Sequence, residues 1–132
     1  MNFGWKRVGT WVLTTALLAA CAEADRSQIF DTVISPHGDY ILNAIVIEPW
    51  IPQGPYFVAL DLTSTKNTTP QRLTKTELAY DGVPFTRKNI GVRWTADYTA
   101  LVCLRASDRP DQGVQITVHG DGTAVAQLRT GC

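Results

Sequence analysis

The sequence predicts an all-β fold, a small antiparallel sheet or sandwich of about six to eight short strands. Three observations predict it. Runs rich in Val, Ile, Tyr and Thr alternate in polarity with the period of two that a strand requires. Gly, Pro and Asp interrupt these runs at short intervals, as hairpin turns do. No linker or low-complexity stretch divides residues 31–132, which read as one β domain.

Taken in order, residues 40–47 (Tyr-Ile-Leu-Asn-Ala-Ile-Val-Ile) are apolar on both alternating faces, as in a strand covered on both sides. Residues 56–62 follow, with Tyr56, Val58, Leu60 and Leu62 on one face. Shorter strands are expected at 71–74 and 83–86, and a helix of one or two turns fits residues 74–79. Ile90, Val92 and Trp94 alternate with Gly91 and Arg93, which places Trp94 in the core of a strand with one wet face. Residues 99–105 form a further buried run containing Cys103. Val114, Ile116 and Val118 alternate with Gln115 and Thr117. Gly120-Asp121-Gly122 then supplies the positive-φ positions of a tight turn, and residues 123–129 return as the partner strand.

The opening Ser35-Pro36-His37-Gly38-Asp39-Tyr40 resembles the S-P-D-G-K-Y start of β-propeller blades in TolB-type periplasmic repeats. The similarity continues through residues 56–62 and Arg72-Leu73-Thr74, and residues 92–101 resemble a degraded second opening. The resemblance implies a strand-turn-strand unit in which Pro36 fixes the turn, Gly38 relieves it and Tyr40 starts the strand. A closed propeller needs four or more blades. The chain has room for about two, so the resemblance carries no function.

The N-terminus reads differently. Lys6-Arg7, an apolar run over residues 8–22 and small residues before a cut site are the parts of a secretory signal. The run is shorter than the ~20 apolar residues that span a bilayer. Leu18-Ala19-Ala20-Cys21 resembles the bacterial lipobox, in which a peptidase cuts before the cysteine and the cysteine carries lipid. The resemblance implies a signal peptide over residues 1–20, lipidation at Cys21 with three acyl chains, palmitate among them, and a tether over residues 21–30. Ala22, in place of Asp directly after that cysteine, implies the outer membrane under the enteric sorting rule. The lipoprotein would then face the periplasm.

Cleavage there removes 20 of the 132 residues and leaves 112, the size of one domain with a modest core. The full chain has 12 basic and 12 acidic residues, and loss of Lys6 and Arg7 leaves the domain slightly acidic. There is no basic stripe, so nucleic acid is not an expected partner. Three cysteines are an awkward number for an exported protein. With Cys21 lipidated, Cys103 and Cys132 remain as a pair, and an oxidising compartment makes a disulfide between them the default.

His37 near Asp39 and His119 near Asp121 are the pairs that a metal or acid-base site could use. Both lie in turn segments where His and Asp are ordinary. Metal-ligand spacings such as HxxxH, CxxC or HExxH do not occur, and Ser27, Ser35, Ser64 and Ser107 lack a nucleophile-elbow setting. No catalytic residue, metal or cofactor is therefore assigned. The most distinctive surface segment is residues 48–55, where Pro49, Pro52 and Pro55 stiffen a loop that holds Trp50 and Ile51. A rigid loop presenting an aromatic loses little entropy on binding; alternatively Trp50 folds back to cap the sheet. These readings converge on a non-enzymatic, lipid-anchored periplasmic protein, held in the membrane by its lipid and binding a protein or another envelope component as an accessory. The alternatives are an immunity protein against a periplasm-acting toxin, and a small envelope hydrolase using His37 or His119.

Overall fold

A computed structural model describes residues 26–52, 54–78 and 85–132. The expected signal segment, Cys21, the expected tether up to residue 25 and the first two residues of the strand expected at 83–86 lie outside the described residues.

Among the described residues eight strands form in chain order: β1 (Ser27–Ile34), β2 (Tyr40–Ile47), β3 (Phe57–Ser64), β4 (Gln71–Glu77), β5 (Ile90–Ala96), β6 (Thr99–Leu104), β7 (Gln112–Val118) and β8 (Ala124–Thr130). They make two four-stranded antiparallel sheets, β1-β2-β3-β4 and β5-β6-β7-β8, each a simple meander. The sheets stack as a small sandwich, with β1 against β5 and β4 against β8. The all-β expectation therefore holds.

The period of two decides which side chains meet between the sheets. Leu42, Ala44 and Val46 of β2 and Val58, Leu60 and Leu62 of β3 face Ala100, Val102 and Leu104 of β6 and Val114, Ile116 and Val118 of β7, all buried. Most of the core thus comes from the four inner strands, and Leu78 after β4 and Ile90 of β5 complete it. Trp94 packs against it from edge strand β5 and donates its indole N–H to the Val33 carbonyl of β1 at 3.3 Å, tying the two sheets together.

Two expectations are corrected. Residues 71–77 form strand β4, so the short helix over 74–79 does not form. Leu73 packs on the core across a bulge opposite Leu60 and Asp61, Lys75 lies over the Phe57 ring, and pairing with β3 satisfies the backbone. Residues 27–30, expected within the tether, belong to β1, which starts at Ser27 and pairs with β2. Its Gln-Ile-Phe-Asp-Thr stretch carries little alternation, since a bulge between Ile29 and Asp31 shifts the register and turns Phe30 inward. Phe85 and Thr86 lie outside any strand.

The meander order sorts the connections between two ends. Tight turns after β1, β3, β5 and β7 lie at one end, where Val118 donates to the Tyr98 carbonyl and Thr65 to that of Asp39. The longer connections after β2, β4 and β6 lie at the other, with Arg26 and Cys132. Three edge strands, β1, β4 and β5, pair across a bulge, which blunts an open edge; β8 keeps unbroken register with β7.

Candidate functional site

At the hairpin end the Ser35–Tyr40 turn is closed by its own backbone. Gly38, at φ 78°, donates to the Ser35 carbonyl, and the buried Ser35 hydroxyl accepts the Tyr40 N–H at 3.0 Å. Ser35 is thus spent on the turn. His37 lies 2.7 Å from Asp97 through Nε2, a partner 60 residues away on the β5/β6 turn; the structure pairs it there, and records no pairing with Asp39. Both side chains are largely exposed. His119 lies on the β7/β8 turn, where Gly122 at φ 86° supplies the positive-φ position and Gly120 does not. Asp121 is held below its ordinary carboxyl range, chiefly by the Thr123 hydroxyl at 2.7 Å, with a smaller pull from His119.

Cys103 and Cys132 are joined by a disulfide, with Cα atoms 5.5 Å apart. It lies on the outer face of the second sheet, in a row formed by Gly91, Cys103 and Gly113 across β5, β6 and β7. The glycines make the room. A Cβ on Gly113 would stand 2.5 Å from the Gly131 carbonyl oxygen, so only glycine lets the terminal segment cross the sheet there. Gly131 takes φ 76° and donates to the Asp111 carbonyl. A shallow cavity of about 280 Å³ lies beside the bridge, lined by Arg93, Leu101 and Arg105 among others. The sulfur atoms and an Asp111 carboxylate oxygen lie within 4.8 Å of one another, a group that could hold a metal only with free thiolates. Here both sulfurs are bonded to each other, and Arg105 approaches Asp111 at 3.6 Å.

At the loop end, the proline-rich connection between β2 and β3 projects Trp50 and Ile51 into solvent, 72% and 61% exposed. Trp50 does not fold back over the sheet. Its position is braced instead. Gly54 donates to the Ile51 carbonyl at 3.0 Å and lies so close to Pro49 that an added Cβ would meet the proline Cβ at 2.8 Å. Glu48 donates its N–H to the Arg26 carbonyl, Arg26 returns a guanidinium hydrogen bond to the Glu48 carbonyl at 2.7 Å, and the same guanidinium lies 5.1 Å from the Trp50 ring centroid. Residues 49–56 carry no charge.

Beside this loop a cleft of about 530 Å³ opens between β1 and the β4/β5 connection. Phe30, Tyr56 and Phe85 line it, with Phe85 edge-on to Phe30 at 5.2 Å and tilted against Tyr56 at 5.5 Å. Glu48 and Arg87 stand at its rim, and Ile29, 66% exposed, adds apolar surface. Arg109 closes the same end on the second sheet, reaching Glu77 at 2.8 Å and Asp108 at 3.0 Å. Its hydrogen bonds hold the Asp108 carboxyl below its ordinary range, and those carboxylates raise Arg109 in turn.

Sequence reasoning singled out Trp50, Ile51, Cys103 and Cys132. It missed the cleft aromatics and the His37–Asp97 contact, whose members are too far apart in the chain to leave a local pattern. Gly91 and Gly113, lone glycines inside strand patterns, were the available signal for the close approach around the bridge. Comparison with protein-family models, curated proteins and solved structures finds no match to this chain.

Proposed function

We propose that this chain is a lipid-anchored β-sandwich of the bacterial envelope that works by binding another envelope component rather than by catalysis, as an accessory protein. The observation that carries the reading is the braced loop that holds Trp50 and Ile51 in water. Exposed singly, an apolar side chain needs no explanation. Two bulky ones on a proline-stiffened loop, beside an aromatic cleft, form a prepaid contact surface. Lipid on Cys21 rests on the lipobox resemblance, and the disulfide agrees with an oxidising compartment.

The test is a photo-reactive amino acid placed at Ile51 in living cells. A discrete adduct, to protein or to phospholipid, is the expected result. Recovery of unmodified protein alone, as from the same probe at exposed Gln127, would overturn the binding reading. One contact supports the hydrolase alternative, the His37–Asp97 pair, which could orient an imidazole as a base. Under the binding reading, His37→Ala leaves function in the host unchanged.

A further inference from the structure

We infer that the component met by Trp50 and Ile51 is the bilayer interface itself, and that the loop sets the orientation of the anchored domain. This rests on the lipid-anchoring reading above and adds the identity of the ligand.

The argument begins with chain length. Four residues, 22–25, separate Cys21 from Arg26. Even fully extended, the five steps from Cys21 to Arg26 span at most about 18 Å. Arg26 is also the residue whose guanidinium lies 5.1 Å from the Trp50 ring, and whose backbone carbonyl holds Glu48 at the root of the loop. A lipid on Cys21 therefore brings this loop, together with the neighbouring exposed Ile29, within reach of the membrane surface. The hairpin end, with His37, Asp97 and His119, lies a strand length further out, roughly 25 Å for an eight-residue strand.

Chemistry agrees with the geometry. Tryptophan prefers the headgroup level of a bilayer, where its ring is buried and its N–H stays wet. Ile51 adds an aliphatic side chain beside it, and residues 49–56 bring no charge that would have to be desolvated. The flanking Arg26 is of the kind that sits well among phosphates. Three acyl chains already make attachment permanent, so the loop is not needed for retention. What it adds is a second point of contact. A domain held at one point by a short tether can tilt freely; held at two, it presents its hairpin end to the periplasm.

The experiment uses the mature protein, purified with its own lipid and reconstituted into vesicles of phosphatidylethanolamine and phosphatidylglycerol whose acyl chains are brominated. Removal of the signal segment leaves Trp50 and Trp94 as its tryptophans. Bromine quenches only indoles in contact with the bilayer. The expected result is loss of most Trp50 emission relative to unbrominated vesicles, with the Trp94 signal of a Trp50→Phe variant unaffected. Equal emission in both kinds of vesicle would overturn the inference, as would equal quenching in wild type and Trp50→Phe. So would Trp50 emission that shifts only when an envelope protein fraction is added, which would hand the surface to a protein partner. The mass of the N-terminal peptide separates the two levels. Absence of lipid on Cys21 sinks the anchoring reading, whereas a lipidated, unquenched protein sinks the interface inference alone.

Discussion

Replacing both Cys103 and Cys132 with alanine should lower thermal stability by an amount that follows from the loop they close. The bridge spans 29 positions in sequence and encloses only the end of β6, Cys103 and Leu104, with all of β7 and β8. In the chain-entropy model a loop of that length is worth about 3.6 kcal/mol through the unfolded state. For a domain of roughly 100 residues this corresponds to a fall in Tm of about 15 °C. The double substitution is preferred to either single one because it leaves no free thiol to pair between molecules. Differential scanning calorimetry on oxidised wild type, reduced wild type and the double variant supplies the comparison. The two proteins lacking the bridge should melt together, well below the oxidised form. A double variant melting within about 3 °C of oxidised wild type would refute loop closure as the source of the stability. If reduced wild type melted far below the double variant, strain from two opposed thiols, and not loop entropy, would be the larger effect.

Three further outcomes are expected. Gly113→Val forces a side chain against the Gly131 carbonyl and should cost about 1–3 kcal/mol, read as a lower urea midpoint at unchanged slope; an unaltered midpoint would show that the terminal segment moves aside freely. Gly54→Val drives its Cβ into Pro49 and should open the Trp50 loop without reaching the core, so amide exchange over residues 48–56 should rise while that of β2 and β3 stays constant. The Asp108 carboxyl has its folded pKa lowered by Arg109, so its contribution is present above the ordinary carboxyl pKa and is lost as pH falls through the folded value. Arg109→Leu should therefore change stability at neutral pH and converge with wild type in acid; a difference that persists in acid would assign Arg109 a packing role instead. The pair lies at the surface, where water screens it, so this effect is small.

The two ends of the sandwich divide the chemistry of the molecule. Meander connectivity puts every tight turn at one end and every longer connection at the other, so the turn residues and the Trp50 loop are separated by the length of the strands. The titratable groups on the turns, His37, Asp97, His119 and Asp121, thereby share the end furthest from Arg26 and Trp50.

Much of this was legible in the sequence. Strands β2, β3, β6 and β7 were fixed by their own side chains, because a buried strand must be apolar at every second residue and these runs are. The β7/β8 turn followed from Gly120-Asp121-Gly122, although only Gly122 takes a positive φ, and the Cys103–Cys132 bridge from the oxidising compartment that the lipobox resemblance implies. Strand β1 was hidden because a bulge breaks the alternation that would have revealed it, and β4 was taken in part for a helix because an edge strand with one wet face has too few apolar positions to declare its period. What only the tertiary structure decided are the meetings between distant residues: His37 with Asp97, Trp94 with Val33, Arg26 with Trp50, Gly113 beneath Gly131. Local sequence sets the period of a strand and the shape of a turn, but which face meets which, and whether Trp50 points inward or out, depends on the stacking of two sheets.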